Sequence, residues 1–162
     1  IPLAYYAAYY SIRAKAFDAQ YMIFGKEKVK NKMKEIEMKN QKKEATKAEL
    51  DMYDDLEIVL EMYERGYEFL PMDLYKSHAS KFLVEEGKIR PPLNSIPGFG
   101  TVAAQGIVNA RKDGKFMSID DLKIRSKVGN SVTDLLKKYG CLEGMSQSNQ
   151  MSLFGWHMGD RS

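Results

Sequence analysis

Apolar side chains recur at helical spacing through most of the chain, and glycine or proline marks nearly every break. Residues 2–13 carry aromatic and small residues on all sides, including Tyr5, Tyr6, Ala7, Ala8, Tyr9 and Tyr10. A helix that is apolar all round is normally buried between neighbours, so partners lying outside this chain are expected for it. Residues 18–24 predict a short helix with Asp18 as N-cap and Gly25 as stop. Residues 26–38 predict a Lys/Glu helix with a thin stripe of Val29, Met33 and Ile36, followed by a polar connector at 40–44. Thr46 then opens the strongest helix: Glu49 stands at the capping-box spacing, and Met52, Leu56, Val59, Leu60 and Tyr63 mark one face. Gly66 fits its C-terminal stop.

Residues 67–70 read as a short strand ended by Pro71, and 81–85 with 88–90 as a small hairpin turning at Glu86-Gly87. Two such short strands can equally be loop. Three further helices are predicted at 101–112, 118–126 and 130–139, separated by Gly114 and Gly129. Asp120 and Asp121 would lie in the first turn of the second, where the helix dipole favours acids. From Gly144 onward Ser, Gln, Asn and Gly dominate, which reads as a flexible tail. The fold class expected is therefore mainly α, with one small β-hairpin.

Composition narrows the chemistry. The 162 residues are 44% hydrophobic and 29% charged, an ordinary globular balance that argues against disorder. No apolar run approaches the roughly 18 residues that span a bilayer, and no basic segment precedes the apolar stretch at 3–10 as a signal peptide requires. The first residue, Ile1, begins what reads as the middle of a structured protein, so a fragment is expected. Cys141 is the single cysteine, which excludes an internal disulfide and a multi-cysteine zinc site and suits a reducing cytoplasm. His78 and His157 lack ligand spacing, and no metal site is expected. The pairs Asp54-Asp55 and Asp120-Asp121 fall in helical patterns where adjacent residues point apart, so both read as solvated acids.

The net charge of +3 is unevenly placed. Residues 26–49 hold nine lysines against five glutamates, 50–70 seven acids against Arg65 alone, and 105–140 eight basic residues against four acidic. Such blocks suggest faces with different partners.

The most informative segment is Ile96-Pro97-Gly98-Phe99-Gly100, leading into the helix that begins at Thr101. Glycines at 98 and 100 beside a helix start leave backbone N–H groups unobstructed, and such a turn can wrap a phosphate oxygen. Arg111 and Lys112 could reach neighbouring phosphates. A turn that needs glycine for geometry alone is the other reading of this segment. An internal echo favours the first. A shift of 29 residues places Gly129 over Gly100, Val128 over Phe99, Val132 over Ala103 and Leu136 over Ile107. Lys127-Val128-Gly129-Asn130 is then a second hairpin, with Lys127 where Gly98 would be. The pattern resembles a tandem helix-hairpin-helix, a motif that binds the DNA backbone without reading bases. Two such hairpins can grip both strands across a minor groove.

Gln150-Met151-Ser152-Leu153-Phe154 resembles the peptide with which bacterial proteins dock on the sliding clamp. The glutamine amide would hydrogen-bond in a polar notch while Met151, Leu153 and Phe154 fill an apolar groove. Folding back on the domain is the alternative for these side chains.

Pro2-Leu3-Ala4-Tyr5-Tyr6-Ala7-Ala8-Tyr9, Glu64-Arg65-Gly66-Tyr67, Pro91-Pro92-Leu93-Asn94-Ser95-Ile96-Pro97-Gly98 and Gly140-Cys141-Leu142 carry a wider resemblance. In this order they are similar to the C-terminal end of PolC-type replicative DNA polymerase III alpha subunits of Gram-positive bacteria. The resemblance implies four parts: the end of the polymerase fingers region (1–66), a connector of short strands (67–92), a tandem helix-hairpin-helix domain (93–143) and a tail with the clamp peptide (144–162). It implies a parent DNA-directed DNA polymerase with an exonuclease, using Mg2+ held outside this fragment, and no cofactor or catalytic residue within it. The implied partners are primer–template duplex, sliding clamp and other replisome subunits, with no membrane. The DNA-backbone residues would be Pro97, Gly98, Phe99, Gly100, Thr101, Arg111, Lys112, Lys127, Gly129 and Asn130. Two departures stand out: family members usually stop near Phe154, whereas 155–162 continue here, and Lys127 replaces a glycine. A helix-hairpin-helix module of a repair protein and a helical protein-interaction domain are the competing readings.

Overall fold

The computed structural model describes residues 2–148. Among these lie seven helices and one two-stranded antiparallel sheet: α1 (Leu3–Ile12), α2 (Ala19–Met22), α3 (Lys26–Gln41), α4 (Lys47–Glu64), β1 (Leu83–Glu85), β2 (Lys88–Arg90), α5 (Thr101–Ala110), α6 (Ile119–Ser126) and α7 (Asn130–Lys138). The mainly α class with a small hairpin is as the sequence predicts. The clamp-like segment 150–154 lies outside the described residues.

Local signals set several helix starts. Thr46 and Glu49 form the reciprocal capping box that opens α4, and Asp18 accepts the Gln20 N–H at 2.8 Å to open α2. Lys39 of α3 pairs with Glu49 in the first turn of α4 at 2.9 Å, which with the Thr46 N–H lowers the Glu49 carboxyl to about 2. The same lysine, 3.6 Å from Glu35, carries α3 through Gln41, three residues past the predicted end.

The all-round apolar α1 finds its partners inside this chain, contrary to expectation. Leu3, Tyr6, Ala7 and Tyr10 are buried against α4 and the β-hairpin. Tyr10 joins Phe17, Phe69 and Phe82 at centroid distances of 5.3–5.7 Å, and the Tyr6 hydroxyl donates to Glu61 at 2.8 Å. The rest of the helix stays open, at Ala4, Tyr5, Ala8 and Ile12.

Two strand expectations change. Residues 67–70 make a single parallel bridge, Phe69 with Ile89, rather than a strand. The hairpin starts at Leu83 rather than Lys81, because the Ser80 and Lys81 N–H groups turn to His78 Nδ1 and the Phe82 N–H donates to Ser11 Oγ. The Glu86-Gly87 turn has positive φ at both residues, as a two-residue hairpin turn demands.

Asp54 is exposed, as expected, but Asp55 is not. It is 0% exposed and lies 3.0 Å from Arg13 Nε, in an ion pair without a well-aligned hydrogen bond. Burial pushes its carboxyl up to about 6, with the Arg13 guanidinium pulling the other way. The fold thus favours the neutral acid, while the unfolded chain gives up that proton near ~4. The stability this group contributes is therefore present below that pH and lost as pH rises towards 6. Asp55→Asn is expected to flatten the fall in unfolding free energy between those pH values by on the order of 2 kcal/mol. Urea titrations at both ends of the window measure it, and an unchanged slope contradicts the assignment.

Hydrophobic contacts run as one cluster from Leu3 to Leu142. The expected flexible tail does not begin at Gly144: Ser146 and Gln147 carbonyls accept the Ile119 and Asp120 N–H groups at 2.9 and 3.0 Å, tying 144–147 to the start of α6.

Candidate nucleic-acid interface

A 3-10 turn at Leu93–Ser95 leads into the first hairpin. Its Leu93, Ser95 and Ile96 side chains are buried, and the Phe99 N–H closes the turn on the Ile96 carbonyl at 3.0 Å. Gly98 sits at φ +82°, where a side chain is strained, and Phe99 is buried beneath the turn. Gly100, extended at φ −75°, ψ 152°, is the N-cap of α5.

The second hairpin repeats this backbone path. Lys127 takes the left-handed conformation of Gly98 at φ 57°, ψ 44°, and Gly129 repeats Gly100 as the extended N-cap of α7. The Lys127 and Val128 N–H groups both return to the Lys123 carbonyl, closing α6. The sequence echo over 29 residues is thus an echo of backbone conformation.

Neither α5 nor α7 has a side-chain cap, although α6 between them is capped by Ser118, which accepts the Asp121 N–H at 3.0 Å. The first helical bonds are Ala104 N–H to Gly100 and Thr133 N–H to Gly129. The N–H groups of Gly100, Thr101, Val102 and Ala103, and of Gly129, Asn130, Ser131 and Val132, therefore have no acceptor among the described residues. Each set converges at a helix N-terminus, where an anion is favoured by both hydrogen bonding and the dipole.

Packing fixes the two sets relative to each other. A Cβ on Gly106, midway along α5, would stand 2.6 Å from the Ser126 carbonyl oxygen at the end of α6. A Cβ on Gly98 would touch Leu135 Cδ1 of α7 at 3.8 Å, so the second motif packs under the hairpin of the first. Arg125 pins the connection between the motifs, donating to the carbonyls of Ala110, Gly114 and Lys115 at 2.7, 2.9 and 3.1 Å.

The sequence-predicted residues divide by what they touch. Gly98, Gly100, Thr101, Lys112, Lys127, Gly129 and Asn130 are exposed, and Pro97 is half-buried. Phe99 contributes packing and its backbone only. Arg111 departs from its expected role: its Nη1 is spent on the carbonyls of Leu74 and Ser77 at 3.0 and 2.6 Å, and burial lowers its pKa. Asn94 and Lys123 were not singled out by sequence. Asn94 Nδ2 donates to Thr101 Oγ1 at 3.4 Å, and Lys123 Nζ to Asn130 Oδ1 at 2.7 Å, so each steadies the first helical residue after a hairpin. Only their contacts across the turns reveal them. Of the acidic pair on α6, Asp121 accepts the Met117 N–H at 2.9 Å and pairs with Arg125, and Asp120 accepts Gln147 Nε2 at 3.2 Å. Among the described residues no three His, Cys, Asp or Glu side chains gather as metal ligands. No helix among them is long and apolar enough to cross a membrane.

Lys127 holds a left-handed conformation that costs an L-residue about 1–2 kcal/mol. Lys127→Gly is expected to raise stability by about 0.5–1 kcal/mol in chemical unfolding, after the greater chain entropy of glycine is deducted. Unchanged or lower stability would contradict the strain.

Comparison with known proteins follows the same outline. The helix-hairpin-helix motif model matches residues 66–152, more than half of the chain. A DNA polymerase III PolC-type from Clostridium perfringens is 48% identical over 95% of this chain. Those of Caldanaerobacter subterraneus subsp. tengcongensis and Bacillus subtilis are 46% and 44% identical over 94%. The chain spans about a tenth of the length of these relatives, 10% or 11% in each. With two hairpins of matching backbone, each opening an uncapped helix, and a family match that covers both, the chain belongs to the helix-hairpin-helix family.

Proposed function

We propose that this chain holds duplex DNA by its backbone as the duplex-gripping part of a PolC-type replicative DNA polymerase. The observation that carries the reading is the pair of unsatisfied first-turn N–H sets at Gly100–Ala103 and Gly129–Val132, fixed side by side by the close approach of Gly106 to Ser126. Each set can take one phosphate; Lys127 lies exposed in the turn just before the second set, and Lys112 is exposed beyond the C-terminal end of α5. Contacts of this kind position a protein on a duplex without reading its sequence. Duplexes of unrelated sequence are expected to bind equally; a marked preference among them contradicts backbone recognition.

The whole protein would transfer a nucleotidyl group from a dNTP to a primer 3′ hydroxyl, with Mg2+ assisting. In this reading the part of this chain is to hold the product duplex. A cytoplasmic location and contacts with other replisome subunits belong to the same reading.

Within it, Gln150, Met151, Ser152, Leu153 and Phe154 form the sliding-clamp peptide. Duplex and clamp contacts in one chain raise each other's effective concentration, so a peptide of modest affinity suffices. Combining Gln150→Ala, Leu153→Ala and Phe154→Ala is expected to abolish clamp pulldown while leaving duplex affinity unchanged. Retention of clamp binding would remove this part of the proposal.

A further inference from the structure

The loop between α1 and α2 is held by its own backbone. Ala16 N–H donates to Arg13 O at 3.0 Å and Phe17 N–H to Ala14 O at 3.3 Å. Phe17 is buried in the aromatic cluster, 4.6 Å from the Phe82 ring centroid, and Asp18 is committed to the Gln20 N–H. Lys15 projects from this anchored loop, exposed and with no ion pair or hydrogen bond to any described residue.

The loop does not face open solvent alone. It lines a cleft of about 390 Å³ together with the first hairpin from Asn94 to Gly100 and with Ala48 and Met52 of α4. One half-open cleft thus combines a free ammonium, the hairpin carrying unsatisfied amides, and small apolar surfaces at Ala14, Ala16 and Met52. Cation and amides suit phosphate oxygens, and the apolar surfaces suit the deoxyribose between successive phosphates. Asp18 lines the same cleft and supplies the opposing charge.

We propose that this cleft takes the DNA strand next to the phosphate held by the first hairpin, with Lys15 as the cation of the adjoining phosphate. The proposal rests on the duplex-holding reading and extends the interface beyond the two hairpins onto the N-terminal helices. Lys15 adds one phosphate contact to the hairpin's own, and Asp18 weakens the grip by like-charge repulsion.

The test is fluorescence anisotropy of a labelled primer–template duplex with the whole chain, over roughly 50–200 mM salt. Lys15→Ala is expected to weaken binding about five- to tenfold near 0.1 M salt and to lower the slope of log affinity against log salt by about one. Lys15→Arg should restore both. Asp18→Asn keeps a good N-cap and is expected to tighten binding about two- to threefold by removing the repulsion. Lys34→Ala, an exposed lysine that lines a separate cleft between α3 and α4, serves as the control of equal charge and should shift the slope by far less. Equal effects of Lys15→Ala and Lys34→Ala, or a slope unchanged by Lys15→Ala in a chain that binds duplex, would overturn the proposal. A wild-type chain that is folded yet binds no duplex would instead overturn the reading beneath it, and this proposal with it.

Discussion

Gly100→Val is expected to weaken duplex binding by about 10- to 100-fold while barely changing the fold. The two effects separate because of where Gly100 sits. Its φ of −75° is open to any residue, and a Cβ there meets nothing within 4 Å. The protein therefore accommodates the side chain, at the cost of a somewhat poorer N-cap than glycine. A phosphate would not, because the valine methyls occupy the approach to the N–H groups of residues 100–103. Charge-assisted hydrogen bonds of that kind are worth about 1.5–3 kcal/mol each, so net loss of a single one corresponds to roughly 10- to 150-fold. Adding Gly98→Val deepens the loss through strain at φ +82°, and the loss should be the same factor for every duplex sequence. Anisotropy on variants with unchanged melting curves measures it. Wild-type affinity in Gly100→Val would mean that the hairpin amides do not meet phosphate.

Gly106→Ala is expected to destabilise the chain by about 1–3 kcal/mol, the opposite of what a helix interior normally gives. An alanine replacing glycine within a helix usually gains about 0.5–1 kcal/mol. Here the new Cβ would stand 2.6 Å from the Ser126 carbonyl oxygen, a backbone atom that cannot swing aside. Relief requires α5 and α6 to part, and those helices set the spacing of the two hairpins. The melting temperature should fall by about 3–10 °C, with duplex affinity falling alongside. A melting temperature at or above wild type would show that the helices have room the structure denies them.

What the sequence made legible was local. Asp18 and Thr46 with Glu49 identify helix starts because a cap bonds within three residues of itself. The hairpin glycines are legible for the same reason, and the match of Lys127 to Gly98 follows from the repeat even though the residue types differ. Most of the failures involve distant partners. Arg111 reads as a free cation beside a phosphate-binding turn, yet its acceptors lie at Leu74 and Ser77, more than 30 positions away. Asp55 reads as a surface acid until α1 brings Arg13 against it. The aromatic N-terminus reads as unpartnered because nothing in its pattern points to Phe69 and Phe82 rather than to another chain. Residues 146–147 read as tether because their bonds to α6 are made by backbone carbonyls, which every residue possesses. Lys15, an ordinary lysine in sequence, gains meaning only from the hairpin that lines the same cleft.

The salt dependence of duplex binding by the folded wild-type chain tests the central claim most directly. If two uncapped hairpins with their flanking lysines hold phosphates, affinity must fall steeply and linearly on a logarithmic plot. The slope is about −0.9 per phosphate contacted, hence roughly −3 to −4 for the two hairpins together with Lys112 and Lys127. The slope should not change when the duplex sequence is scrambled. Affinity that is flat in salt, or no affinity at all near 50 mM salt, would contradict backbone recognition and leave the hairpins as turns that serve packing alone.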